Sequence, residues 1–267
     1  MDNKTIVLGR GYLGKEFERH GINVLDRTGF NVEYPENNLT EQLEKLKSYD
    51  TIINCIGKSN TRWCEDSNNF SEALFINGEL PRILSNFCSK NNIQFVHIST
   101  GCLYDNTTIE NTETDFISAH CNYTVTKWVG EQGCNKETDL ILRPRLYFSD
   151  IKDRNNLLCK IPVFTSYTAD VADSFTCTST IVGATKALLE AKQTGVFNVA
   201  QHGFATIANI AFYCGLNDDK INTAKELRAR EGLYLVNNKM DIRKLMKFYN
   251  PMNIIDSIKL SYAELSK

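Results

Sequence analysis

Short apolar runs rich in β-branched residues alternate along this chain with stretches whose apolar positions recur every three to four residues. The first pattern predicts strands and the second predicts amphipathic helices. Thr5-Ile6-Val7-Leu8 reads as a strand, then Lys15-Glu16-Phe17 begins a helix, and Gly21 to Leu25 forms a second strand. Leu39 to Leu46 is amphipathic, and Thr51 to Ile56 is a strand apolar enough to be buried on both faces. Ala73, Ile76, Leu80, Leu84 and Phe87 give Phe70 to Ser89 a helical period, with Pro81 marking a kink or break. Gln94 to Ile98 and Asp139 to Pro144 are further strands, separated by a helix that carries Tyr123 and Lys127. Past Asp150 the alternation weakens, although Gly195 to Val199 reads as a late sheet strand. Strand and helix in alternation predict an α/β fold, a doubly wound parallel sheet with helices on both faces.

The turn after the first strand is Gly9-Arg10-Gly11-Tyr12-Leu13-Gly14. This G-x-G-x-x-G string has a strand before it and a helix after it, the context a dinucleotide-binding loop requires. Gly9 suits the tight turn, Gly11 lets backbone approach a pyrophosphate, and Gly14 permits close helix–strand packing. The anion would rest on the helix N-terminus. Residues 1–150 are therefore expected to form a Rossmann domain, joined by the late strand near 195–199. Residues 151–267 are expected to form mostly a small C-terminal substrate lobe over the cofactor cleft. After the second strand comes Asp26-Arg27. The acid suits the ribose 2′-hydroxyl of NADH, whereas Arg27, with Arg10 in the loop, suits the 2′-phosphate of NADPH. Two arginines favour NADPH, with NADH possible.

Tyr123 and Lys127 are four residues apart, on one helical face. An ammonium beside a phenol is expected to lower its pKa from the usual ~10 and favour proton donation to a carbonyl. Thr100, at the carboxyl end of the Gln94 to Ile98 strand, would offer a hydroxyl to the same oxygen. Ligands of open α/β sheets bind at that edge.

Composition removes several classes. The net charge of −2 gives no basic field for nucleic acid. No apolar run approaches a membrane span, and with the first strand beginning so early no signal peptide is expected. Nine cysteines without a CxxC pair read as reduced thiols of a cytoplasmic protein. The four histidines, His20, His97, His120 and His202, lack ligand spacing, so no metal site is expected.

The glycine string, Thr100 and the Tyr123/Lys127 pair together resemble the extended short-chain dehydrogenases/reductases. Gly57 to Glu65, Ser99 to Cys102, Asp150 to Ile161 and Asn237 to Asp241 narrow the resemblance. They are similar to nucleotide-sugar 4-keto reductases related to dTDP-4-dehydrorhamnose reductase. Within these the resemblance runs most closely to the bifunctional 3,5-epimerase/4-reductases of UDP-L-rhamnose synthesis in plants and giant viruses. Leu146-Tyr147-Phe148, in place of a proline-containing stretch, and a short loop between Cys102 and Tyr123 depart from that pattern. These departures bear on the identity of the sugar.

The resemblance implies that Tyr123 is the proton donor, that Lys127 holds the nicotinamide ribose, and that Thr100 orients the carbonyl. It adds Cys55, Ile56, Gly57 and Asn77 to the Gly9–Gly14 loop, Asp26 and Arg27 as cofactor residues. It gives the substrate Lys58, Asn60, Trp63, Cys102, Arg145 and Asn156, the last as a phosphate contact. Cys102 and Lys160 match the acid/base pair of the epimerase. The substrate would come from a nucleotide-sugar 4,6-dehydratase, and the fold often forms homodimers through the helix of the Tyr/Lys pair. Two alternatives stay open: a reductase without epimerase activity, including one acting on a 2-acetamido sugar, and a non-catalytic nucleotide sensor.

Overall fold

The computed structural model describes residues 4–34, 39–104, 109–216, 220–231 and 238–267. Two compact units account for it. One comprises Met1–Leu103, Ser118–Arg143 and Lys186–Phe197, the other Tyr104–Ile117, Pro144–Thr185 and Asn198–Lys267.

The central sheet is built on β1 (Thr5–Leu8), β2 (Asn23–Leu25), β3 (Thr51–Asn54), β4 (Gln94–Ile98), β5 (Leu140–Pro144) and β6 (Gly195–Val199). They form one six-stranded sheet in the order β6-β5-β4-β3-β1-β2. The pairings of β1 with β2 and β3, of β3 with β4, and of β4 with β5 are parallel. Strand order reverses at β1, which leaves a switch point between β1 and β3, as in doubly wound sheets. Ile6, Leu8, Ile52, Phe95 and Ile141 are buried in the core with Ile76, Leu80 and Leu84. Burial on both faces is why these strands read as unbroken apolar runs.

Helix α1 (Tyr12–Arg19) follows β1 directly. After β3 come α2 (Thr61–Glu65) and α3 (Phe70–Leu74). The single helix expected over Phe70 to Ser89 is instead α3, a π-helical turn at Phe75–Glu79, and α4 (Leu80–Asn91). Pro81 has no N–H to offer the carbonyl of Asn77 four residues back, so regular winding fails there. Helix α5 (Asn122–Gln132) approaches that same carbonyl: a Cβ on Gly130 would stand 2.1 Å from the Asn77 oxygen. Only glycine tolerates that contact.

The second unit holds three two-residue parallel ladders: 110–111 with 239–240, 147–148 with 176–177, and 167–168 with 221–222. Its core includes Phe148, Leu158, Ile161, Phe175, Ile210 and Ile258. Asn238 to Asp241 precedes the last helices, Arg243–Met246 and Ile254–Leu265, while Asn237 lies outside the described residues. Leu146 adopts a φ of 41°, a left-handed conformation that proline, locked near −65°, cannot take. No helix among the described residues is long and apolar enough to cross a membrane.

Candidate functional site

The glycine loop lies at the switch point. Gly9 has a φ of +98°, and a Cβ there would meet the Ile56 side chain at 2.9 Å. A Cβ on Gly14 would stand 2.0 Å from the Gly9 carbonyl oxygen, so that oxygen is seated against the helix. Gly11 is the N-cap of α1 and offers no side-chain cap, and the space where its Cβ would be is open. The first amides of α1 thus have no side-chain cap, and the Gly11 position beside them is open, which suits a phosphate. Tyr12 is half-buried, while Leu13 packs into the core.

Charged residues near the loop are engaged with each other. The Arg10 guanidinium meets Glu18, with Nε at 3.0 and 2.9 Å from its two carboxylate oxygens. Asp26 closes a turn: its Oδ1 accepts from Thr28 Oγ1 at 2.6 Å, Thr28 N at 2.8 Å and Gly29 N at 3.3 Å. Those bonds, the Thr28 hydroxyl first, hold its carboxyl below the usual range. Arg27 is exposed.

After β3, the chain is held by side-chain amides. Asn54 Oδ1 accepts the Ile56 N–H at 3.0 Å. Asn77, only 1% exposed, accepts the Lys58 N–H at 2.8 Å and donates to the Lys58 carbonyl at 3.0 Å. Its Nδ2 also donates to Thr126 Oγ1 at 3.1 Å, and that hydroxyl donates to the Tyr123 carbonyl. Burial pushes the Cys55 thiol up. Gly57 is exposed, and a Cβ there would meet only Asn77 Oδ1, at 3.4 Å, an ordinary contact. Lys58, Asn60 and Trp63 form one cluster. Lys58 Nζ lies 4.5 Å from the Trp63 ring centroid and 2.6 Å from Glu72, and Asn60 caps α2 by accepting from Trp63 N.

Thr100, 4% exposed, sits just past β4. Its hydroxyl oxygen accepts the Cys102 N–H at 3.1 Å, and its side chain lies close enough to the Tyr123 phenol to favour ionisation there. Tyr123 stands in the first turn of α5, whose N-terminus is capped reciprocally by Cys121 and Thr124. Its phenol is shifted upward, opposite to the lowering expected from Lys127. Desolvation is the first cause and the Cys102 thiol the second; the Thr100 hydroxyl opposes them, and Cys64 and Cys121 add smaller increases. A phenolate would lose hydration there, so Tyr123 keeps its proton, the state a proton donor needs. Lys127 is buried and donates to the Ile98 carbonyl at 2.7 Å. Burial lowers its pKa to about 8, against Cys134, Glu131 and Cys55, which favour the ammonium.

The residues that the sequence reading missed lie beneath this set. His97 on β4 is buried, shifted well down by desolvation and by Lys127, and stacked on Phe95. Glu131, four residues beyond Lys127, is fully buried and paired with Arg143. The i+4 spacing, and a lone Arg in the apolar β5 run, were the signals available.

Three expected residues belong to the second unit. The Arg145 guanidinium is buried and makes two bonds to Asp173, at 2.5 and 2.6 Å. Asn156 is fully buried. Its Oδ1 accepts from Leu158 N and Ser149 N, and its Nδ2 donates to the Ser149 and Ile151 carbonyls. Both amide atoms are thus used in shaping the 149–158 loop, which leaves no free N–H for the expected phosphate contact. Lys160 ends a short helix, Leu157–Lys160, half-buried. No cluster of three or more His, Cys, Asp or Glu side chains that could hold a metal occurs among the described residues.

Residues 6–211 match the family described as RmlD substrate binding domain. No curated protein matches the sequence. Among solved structures, the UDP-rhamnose synthase of Acanthamoeba polyphaga mimivirus superposes with a TM-score of 0.83 at 18% identity, covering 98% of this chain and 100% of that one. The dTDP-4-dehydrorhamnose reductase of Clostridium acetobutylicum gives 0.82 at 18% identity, over 98% and 100%. That of Bacillus anthracis, in complex with NADP, gives 0.81 at 17% identity, over 99% and 100%.

Proposed function

The chain belongs to the RmlD substrate binding domain family, and from that premise we propose that it is a reductase acting on the 4-keto group of a nucleotide-linked 4-keto-6-deoxy sugar, with NADPH as donor. The observation that carries this reading is the gathering of the Thr100 hydroxyl, the buried Lys127 ammonium one helical turn on, and a half-buried Tyr123 phenol on which Thr100 acts and whose ionisation desolvation disfavours. Both stand in the unit whose glycine loop fits a dinucleotide: Gly9 and Gly14 admit no side chain, and the Gly11 position is open.

NADPH bound there supplies the hydride for the carbonyl carbon. Tyr123 gives its proton to the oxygen as negative charge develops, acting as general acid. Thr100 holds that oxygen through its hydroxyl. Lys127 uses one N–H on the Ile98 carbonyl, and an ammonium has two more for the nicotinamide ribose. The cofactor choice rests on Arg27, exposed after β2, and on Arg10, which must exchange Glu18 for a 2′-phosphate. Asp26 suits the 2′-hydroxyl of NADH, so both donors belong in the assay. A 4-keto-6-deoxy sugar is the product of a 4,6-dehydratase, so this reading sets the protein after such an enzyme. Homodimer formation, implied by the resemblance, is tested by sedimentation.

Incubation with NADPH and UDP- or dTDP-4-keto-6-deoxy-glucose is expected to consume the cofactor, followed by its absorbance. No consumption with either sugar and either cofactor refutes the proposal and favours a nucleotide sensor.

A second reading adds 3,5-epimerisation. The Cys102 N–H is bonded to Thr100, and its thiol acts electrostatically on the Tyr123 phenol, so Cys102 is close to the atoms that would meet the ketone. Cys102 would exchange a proton beside the carbonyl, and Lys160 is proposed as the second acid/base. In heavy water, deuterium at carbons 3 and 5 of the product is the expected result; reduction without it leaves a plain reductase.

A further inference from the structure

Beneath Thr100, Tyr123 and Lys127 runs a buried charge network that proton donation and hydride transfer do not themselves require. Glu131 is fully buried on α5, one turn beyond Lys127, and Arg143 on β5 is 2% exposed. Glu131 Oε2 accepts from Arg143 Nε at 2.9 Å, and Oε1 accepts from Arg143 Nη2. Oε2 also accepts from the Ser99 hydroxyl at 2.8 Å. Ser99 is buried, and its N–H donates to the Leu142 carbonyl on β5 at 2.7 Å.

Ser99 is thus held at its amide by β5 and at its hydroxyl by α5. It immediately precedes Thr100, so those two bonds set where the Thr100 backbone leaves the sheet. Both charges lose their hydration in the core, and well-packed apolar side chains would serve stability as well or better. A role in fixing geometry, rather than in adding stability, therefore suits the network better.

We propose that Glu131 is a positioning residue of this site: pinned by Arg143, its carboxylate holds Ser99 and so keeps the Thr100 hydroxyl in register with Tyr123 and Lys127 on the same helix. The inference rests on the reductase reading for its kinetic consequences, but its geometric content stands apart from turnover.

Ser99→Ala removes the tether and leaves the Glu131–Arg143 pair. It is expected to keep NADPH affinity within about twofold while kcat falls roughly 10- to 100-fold, the scale of a misplaced orienting group, with KM for the keto sugar little changed. Ser99→Thr restores a hydroxyl and is expected to recover most of the loss. A purely structural role would lower stability without that split or that rescue. Crystal structures of unaltered and Ser99→Ala proteins give the turnover-independent measure: the Thr100 hydroxyl is expected to shift relative to the Tyr123 phenol. A Ser99→Ala protein with unaltered kcat and an unmoved Thr100 overturns the proposal. If the unaltered protein consumes no NADPH, the reductase reading fails by itself and the two crystal structures decide the role of Glu131. Glu131→Gln, which loses the charge, should reproduce the Ser99→Ala defect; if it fails to fold, the Ser99 variants carry the test.

Discussion

Asn77 grips the backbone of Lys58 at both ends, accepting its N–H at 2.8 Å and donating to its carbonyl at 3.0 Å. The remaining N–H of the amide reaches Thr126, next to Lys127, so one buried side chain ties the loop after β3 to α5. Asn77→Ala strips partners from the half-buried backbone of Lys58, a loss of about 0.5–1.5 kcal/mol for each hydrogen bond. The variant should melt several degrees lower and lose turnover as α5 loosens. Thermal denaturation and the NADPH assay check this together; an unchanged melting temperature would count against the clamp.

Two glycines in one loop should fail differently. Gly14→Ala sets a methyl 2.0 Å from the Gly9 carbonyl and is expected to destabilise the fold. Gly11→Ala meets nothing within 4 Å and is expected to keep the melting temperature. Its methyl would occupy the space of a pyrophosphate, so NADPH binding should weaken at least tenfold, about 1.4 kcal/mol. Fluorescence titration with NADPH separates the two.

Tyr123→Phe removes the proposed acid while leaving the ring. Loss of a positioned general acid costs about 10²- to 10⁴-fold in rate. NADPH affinity should be retained, because the loss falls on the chemical step. Single-turnover kinetics are the measurement.

Lys127, at about 8, titrates well below an ordinary lysine. Glu131 faces it from its own helix, Cys134 from just past that helix, Cys55 from the end of β3, and His97 from β4. Because its folded pKa is depressed, the unfolded chain binds the extra proton between about pH 8 and the usual lysine value near 10.5. Across that window this group makes stability rise with pH, by about 3 kcal/mol in total. Activity should run the other way and fall above pH 8 as the ammonium is lost. Lysine ¹³C NMR against pH would locate the midpoint, and a midpoint near 10.5 would refute the assignment.

Arg145 is expected to behave as a structural residue. Removing it strands the Asp173 carboxylate, 6% exposed, in the core of its unit. Breaking such a pair costs about 3–5 kcal/mol. Arg145→Ala should therefore unfold at much lower temperature or denaturant; a stable variant with only a raised KM would restore the substrate-contact reading.

Much of the first unit can be read from local pattern. Thr5–Leu8 with Gly9 and Gly14 implies a strand, turn and helix because their steric demands are met within a few residues. The four-residue spacing of Tyr123 and Lys127 is likewise a property of any helix. The split of Phe70 to Ser89 at a π turn was legible only in part. Pro81 announces a break, but its form depends on Gly130 arriving from α5, some fifty positions later.

What the chain determined alone is the set of strands, the glycine loop and the chemical types gathered near the ends of the strands, since spacing and side-chain shape act over one turn or one strand. What only tertiary structure decided is the state of those groups. Tyr123 was expected to be acidified and is shifted upward, because desolvation comes from segments distant in sequence. Arg145 and Asn156 were read as ligand contacts; Asp173, 28 positions on, holds the Arg145 guanidinium, and Asn156 binds its own loop through Ser149, Ile151 and Leu158. Glu131, Arg143 and Ser99 look unremarkable in sequence, yet burial turns them into one network. Charge, hydration and partner choice are non-local quantities, and folding sets them.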